Sequence, residues 1–366
     1  MQLPQEWKQE IKRLPWLLLI PLGVILPALI SLNPNAVERI YSRGVYPLIA
    51  GAIGFLTGLL PFSIAEWLLY ALVIGLPALI LVTLIRALLH KMRWAKFLRL
   101  IVTILILFGI ALNTFYVLWG FNYSRNTLAQ QLSLDVRNRS VDELESLCFQ
   151  LASDAVSLRA QVQEDERGVF RLPKGITDCL RRIPKAYEQL EKQVPQFVGR
   201  AARPKYVLGA EGLSWAGISG IYIPFTVEPN VNTHQPALLI PSSAAHESAH
   251  SLGIAREDEA NFAAYLACLS SNDPTLQYSG VMLALIHCGN ELYRAWPAVY
   301  RELYATYSQG MLRDLADYDA YWDSYEGPVE EAVNDVNDGY LKYNGQEEGV
   351  KSYGEMVDLL LAWNAK

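Results

Sequence analysis

Two histidines four residues apart with a glutamate between them, "HESAH" at 246–250, are the residues of this chain best suited to chemistry. On a helix, positions i and i+4 share one face, so the imidazoles of His246 and His250 can meet a single ion. Glu247 lies one residue round, beside that ion rather than on it. There it can take a proton from an activated water and later deliver it to a leaving amine, the H-E-x-x-H chemistry of zinc peptidases. Gly253 permits a sharp turn, and the acidic helix start "EDEAN" (257–261) follows at once and can return a third ligand to the metal. Glu257 and Glu259 stand two positions apart and so face about 200° away from each other on a helix, which lets one of them reach the ion. Small neighbours at Ala260, Ala264 and Cys268 would let the Glu257 face pack closely against the motif helix. Glu259 shares its side with Phe262, Ala263 and Leu266, a core-facing stripe, and could instead cap or hold a histidine. Glu257 is therefore the expected third ligand, with Glu259 as the alternative.

The motif needs a helix, and the sequence supplies one after "ALLIP" (237–241), which reads as a strand, with Ser242 or Ser243 as its cap. Upstream, "SVDELESLCFQLASDAVSLRAQV" opens with a capping box, Ser140 and Glu143, and keeps helical spacing of apolar residues. A second helix is expected over Thr177–Val194. The stretch 205–241 is rich in Gly, Pro, Tyr and Ile and suits two or three short strands. Helices return over 242–252, 257–271, 274–292, 296–308, 328–343 and 348–363. A small sheet among many helices makes an α+β domain.

The first third has another character. Residues 1–120 carry ten basic and four acidic side chains, a net of +6, so with a total of −6 the remainder carries −12. Apolar runs at Trp16–Leu32, Ile64–Ile85 and Leu100–Gly120 are long enough to cross a bilayer. Val45–Leu60 is shorter, glycine-rich and interrupted by Pro47, and it reads as interfacial, re-entrant or spanning. The loop holding Arg86, Lys91, Arg93, Lys96 and Arg99 belongs in the cytoplasm, as does the N-terminus with Lys8, Lys12 and Arg13. Both are satisfied with three spans, which puts the acidic remainder outside the cytoplasm. No small-residue cleavage site follows the first run, so a signal peptide is not expected. The expected division is a membrane anchor over 1–120 and an extracytoplasmic domain over 121–366. Nucleic acid does not suit a domain of that sign; membrane lipid and a peptide or protein substrate at the cell envelope do. Four cysteines, Cys148, Cys179, Cys268 and Cys288, match no metal spacing and are read as disulfides or buried thiols.

Weaker candidates surround the motif. "GISGIYIPF" (217–225) can be a sheet edge on which a peptide pairs, or a plain hairpin. His234, Tyr222, Tyr340 and Tyr353 could polarise a carbonyl, although most such residues are structural. His287, inside an apolar helical run, reads as a satisfied core histidine.

"HESAH" followed by "EDEAN" resembles the glutamate-type zincins, in which a helix after the motif supplies the third ligand as E-x-x-[AS]-[DN]. That resemblance implies Glu257 as ligand and Asn261, four residues on, as the group steadying a ligand histidine. Here the acids follow His250 by seven to nine residues, a shorter connection than is usual in that group. The phrases "GIYIPFTVEPNVN", "HESAHSLGIAREDEANFAAYLAC", "YLKYNGQEEGVKSYGEMVDLL" and "YSRGVYPLI" resemble a bacterial membrane protein family, domain of unknown function 3810. The resemblance implies a zinc-dependent hydrolase domain tethered outside a multi-pass anchor in the cell membrane, with Glu247 as its base. The competing expectation is a sensor or scaffold that keeps the metal without turnover. An intramembrane protease is excluded, because the 242–262 segment holds Glu247, Arg256, Glu257, Asp258 and Glu259.

Overall fold

A computed structural model describes residues 11–89, 94–137, 139–346, 349 and 355–366. Lys91 and Arg93 of the basic loop and Tyr353 lie outside the described residues. The chain is mostly helical, with one small mixed sheet. Ile64–Leu88 and Lys96–Leu118 are long and apolar enough to cross a membrane; Leu14–Ile30 and Pro34–Gly58 pass that test together but are bent by 96° at their break. The structure thus has two or three candidate spans, consistent with association with a membrane. Leu14–Ile30 runs alongside and parallel to Lys96–Leu118: Arg13 bonds Thr103 at 2.9 Å, and the Asn113 amide donates to Leu19 O at 2.7 Å.

The ends of these helices are fastened to the rest of the chain by buried charge. Glu66, the one acid of its apolar run, accepts from the backbone N–H groups of Leu208 and Gly209 at 3.0 and 2.7 Å. Glu228 accepts from Ile64 N and Ala65 N at 3.1 and 2.7 Å, satisfying donors that a helix start leaves free. Lys205 pairs with Glu228 and donates to Thr57 O and Phe62 O at 2.8 and 2.9 Å.

Beyond residue 120 the core forms around the motif helix, Ile240–His250, every residue of which is buried. Val141–Arg159, Gly175–Gln193, Glu257–Ser270 and Pro274–Ala295 surround it and share one apolar cluster. Ser140 and Glu143 form the expected capping box. The sheet is β1 (Lys205–Tyr206), β2 (Gly220–Ile223) and β3 (Glu228–Val231), in the order β1-β3-β2. β1 pairs parallel and β2 antiparallel with β3, Gly220 opposite Val231. β2 is therefore an edge.

Two expectations are corrected. "ALLIP" is a turn running into the motif helix, not a strand: Leu238, Leu239 and Ile240 bury directly in the core without a ladder partner, and Pro241 suits the first helical turn. Leu239 holds the cap position with no side-chain cap, and Ser242 is inside the helix, donating back to Leu239 O at 3.1 Å. A helix at Gln309–Asp323, capped by Ser308, joins those expected between Ser242 and the end. Of the two readings of the cysteines, buried free thiols hold for all four.

Arg159 and Asp314 form a buried pair at 2.6 Å, and Asp314 also accepts from Tyr278 OH and Phe170 N, each at 2.7 Å. Removing the carboxylate strands a buried guanidinium. Asp314→Ala is expected to lower stability by about 3–5 kcal/mol, against less than about 1 kcal/mol for Glu164→Ala, whose side chain is 50% exposed. Denaturant titration of the detergent-solubilised chain measures both.

Candidate metal centre

The helical phase of the motif brings the His246 and His250 rings together, centroids 4.9 Å apart. After His250 the chain reverses at Gly253, whose φ of +78° suits glycine. A Cβ there would also lie 2.9 Å from Asn122 Oδ1 and 3.0 Å from Tyr46 Cε1, so the position has no space for a side chain. This tight reversal lets a short connection suffice. Glu257 opens the next helix with Oε2 3.0 Å from His246 Nε2 and 3.6 Å from His250 Nε2. One ligand atom from each of the three lies within 4.8 Å of the other two, and all three residues are buried.

The histidine tautomers are set from behind. His250 Nδ1 lies 2.7 Å from Ile254 O, which can only accept, so that nitrogen carries the proton. His246 Nδ1 lies 2.7 Å from Asn261 Oδ1, and with the amide oxygen towards the ring it is the donor too. Each neutral ring then presents its Nε2 lone pair to the carboxylate of Glu257. Three electron-pair donors converge in a buried place, an arrangement that could hold a cation between them. Ligand atoms of a tetrahedral ion with bonds of about 2.0–2.1 Å lie about 3.3 Å apart, and the two Glu257 separations bracket that value. The cluster fits a metal.

The electrostatics agree. Burial alone would raise the Glu257 pKa, but His250 and His246 outweigh it and hold the carboxyl well below its usual range. Burial alone would lower His250, yet Glu257 lifts it to about 9.

Glu247 is buried beside this cluster and its pKa is pushed up to about 7 by burial, against the pull of the imidazoles. Its carboxylate lies directly against β2. A Cβ on Gly220 would come within 2.6 Å of Glu247 Cγ, so only glycine lets the strand approach this closely. Glu259, the alternative ligand, is elsewhere: its Oε1 accepts from Leu128 N at 2.6 Å, at the start of the helix Leu128–Gln131.

Two supports of the cluster escaped sequence reasoning. Trp119 Nε1 donates to His250 O at 2.8 Å, and its ring meets the His250 ring edge-on at 5.8 Å. Tyr46 OH lies 3.3 Å from the same carbonyl and 3.0 Å from Ser251 O. Both residues belong to the first 120, so the expected anchor contributes directly to the frame of the cluster. The only sequence signal was their aromatic character at the ends of apolar runs.

The weaker candidates separate. Tyr222 places its hydroxyl 3.3 Å from that of Tyr46 and its ring against Trp119 and His250. Tyr340 accepts from Tyr123 OH at 3.0 Å, and its pKa is raised by burial, with Glu257 close enough to add to the rise. His234 engages Tyr321 at 2.8 Å and takes no part in the cluster. His287 is not a satisfied core histidine: it is half-buried with no hydrogen-bond partner among the described residues, and burial, with His246 nearby, pushes it down to about 4.

The family described as "Protein of unknown function (DUF3810)" matches residues 41–361. No curated protein and no solved structure matches the chain.

One tightly held metal per purified full-length chain is expected. His246→Ala, His250→Ala and Glu257→Ala should each lose it, while Glu259→Ala keeps it and loses stability because Leu128 N, buried, is left without its acceptor. Trp119→Phe removes one donor to the His250 carbonyl and should weaken the metal by roughly tenfold or more, the usual scale for outer partners of ligands. Elemental analysis and competition with a chelating dye measure these outcomes. Loss of metal from Glu259→Ala alone would overturn the assignment.

Proposed function

The chain belongs to this DUF3810 family, and for it we propose a membrane-anchored zinc metallopeptidase with a zincin-like domain. The observation that carries the reading is the combination of a three-donor cluster with locked tautomers and a fourth buried group, Glu247, that binds nothing in the cluster but lies beside it. A purely structural zinc site usually closes with a fourth protein ligand and needs no base. The buried glutamate therefore favours hydrolysis over the sensor or scaffold reading.

His246, His250 and Glu257 would hold Zn²⁺, with Asn261 and Ile254 O fixing the rings. When bound, the ion supplies Lewis acidity and lowers the pKa of water to near neutrality. Glu247 accepts the proton of the attacking water as its oxygen bonds to the carbonyl carbon. As the C–N bond breaks, Glu247 returns that proton to the amine. A carboxyl poised near neutral pH serves both steps. β2 offers the substrate its place: it is an edge strand, with Ile221 and Phe225 exposed and Gly220 against the base. An extended polypeptide can add there as a further strand, held by backbone hydrogen bonds. Peptide or protein at the cell envelope is the substrate class.

Glu247→Gln should leave the metal bound and slow peptide hydrolysis by about 10²-fold or more. Gly220→Val should do similar damage by displacing Glu247, again with metal retained. Metal content and turnover of a mixed quenched-fluorescent peptide pool test both, and a wild-type rate in the Gln variant would reject the base.

The basic character of the 86–99 loop supports a cytoplasmic position for that end and puts the domain of the proposed enzyme on the far side. A reporter active only outside the cytoplasm should work after residue 366 and fail within 86–99. The reverse pattern would put the site inside the cell.

A further inference from the structure

The helix Tyr46–Gly58 has two unlike faces. Tyr46, Ala50 and Thr57 are buried, and Gly54 lies so close to the sheet that a Cβ would be 3.3 Å from Val227 Cγ1. The opposite stripe, at helical spacing, is Leu48, Ala52, Phe55, Leu56 and Leu59, all apolar and uncovered; Leu48 is 76% and Leu59 67% exposed. Such a stripe on a protein surface marks an interaction. Its surroundings indicate the partner. The segment Pro34–Gly58 is turned 96° from Leu14–Ile30, which packs parallel to the candidate span Lys96–Leu118. If those helices stand upright in a bilayer, Tyr46–Gly58 lies close to the membrane plane. The Glu228 and Lys205 bonds to residues 57–65 put the start of Ile64–Leu88 at the same level. Phe62 and Leu208, both exposed, flank it there.

We propose that Tyr46–Gly58 lies flat in the bilayer surface as the floor beneath the metal centre, and that the site takes a polypeptide segment just emerging from the membrane. This rests on the peptidase reading above. The floor touches the centre directly, since Tyr46 bonds His250 O and Ser251 O. The edge strand also runs down to it. β2 begins at Gly220 beside Glu247 and leads through the turn at 224–227 to Val227 on the flat helix. An extended substrate paired along β2 would pass from the base to the membrane in about five residues, roughly 17 Å at the rise of a strand. A segment anchored in the bilayer reaches the base without being lifted out; a free peptide gains nothing from the floor.

Two measurements on the full chain in phosphatidylcholine vesicles test this. A benzophenone amino acid is placed at position 56, or at 336, where Val336 is 74% exposed on the helix Pro328–Tyr343. Irradiation should give a lipid adduct at 56 and none at 336. No lipid adduct at 56, or a crosslink there to a second copy of the chain, overturns the floor. This arm requires no hydrolysis, so it stands or falls apart from the peptidase reading. In the second arm, peptides with a 20-residue polar segment preceding a transmembrane leucine–alanine helix are incubated with wild type and Glu247→Gln. Glu247-dependent cuts should cluster within about seven residues of the membrane. Cuts spread evenly, or placed at the distal end, overturn the substrate class and leave the peptidase standing. A lipid adduct at 56 with no Glu247-dependent cut anywhere confirms the floor and rejects the peptidase reading, and the substrate class with it.

Discussion

A carboxylate buried against two imidazole lone pairs is the constraint around which this molecule is arranged. Moving such groups out of water is costly unless each remaining polar atom is bonded and a cation balances the charge. The surroundings of Glu257 meet the first of those conditions. Asn261 and Ile254 O take the rear protons of the histidines, Gly253 makes the reversal tight enough for a short connection, and the small residues of the Glu257 helix allow close approach. The same low-polarity setting keeps Glu247 near the neutral range. One burial thus shapes both the candidate ligand cluster and the glutamate beside it.

The division between anchor and domain is less clean than charge and hydropathy indicate. Trp119, Tyr46 and Ala50 share an apolar cluster with Tyr222, Val227 and Ala255, so the first 120 residues and the remainder pack as one body at this point. Arg125 pairs with Glu38 and donates to Gly253 O at 3.0 Å, joining a residue of the first third to the reversal itself. The contacts that steady the candidate metal cluster are therefore also the contacts that join the two parts.

Much of the site was legible because its chemistry depends on local spacing. His246, His250 and Glu247 are ordered by helical phase, and the choice of Glu257 over Glu259 followed from which face each occupies. The long helices Val141–Arg159, Gly175–Gln193, Glu257–Ser270 and Pro274–Ala295 were likewise readable from their sequence, whereas the short helix Ala210–Trp215 lies in a stretch that reads as strands. What could not be read depends on contacts distant in sequence. Gly220 matters because Glu247, 27 residues later, comes to rest on it. Trp119 and Tyr46 matter because a carbonyl far along the chain meets them. "ALLIP" has the composition of a strand, but a short apolar run carries no period to distinguish strand from buried turn. The partner it finds, the core beneath the motif helix, is tertiary.

The two donors to the His250 carbonyl come from residues 46 and 119, and the ribosome delivers both long before the histidines. A nascent chain holds the supports first and the reactive groups last. The frame they belong to is complete only once the end of the helix Trp94–Leu118 has met the later part of the chain. The carbonyl that both donors hold belongs to a later stretch, so the frame of the cluster is shared between the earliest and the later parts of the chain.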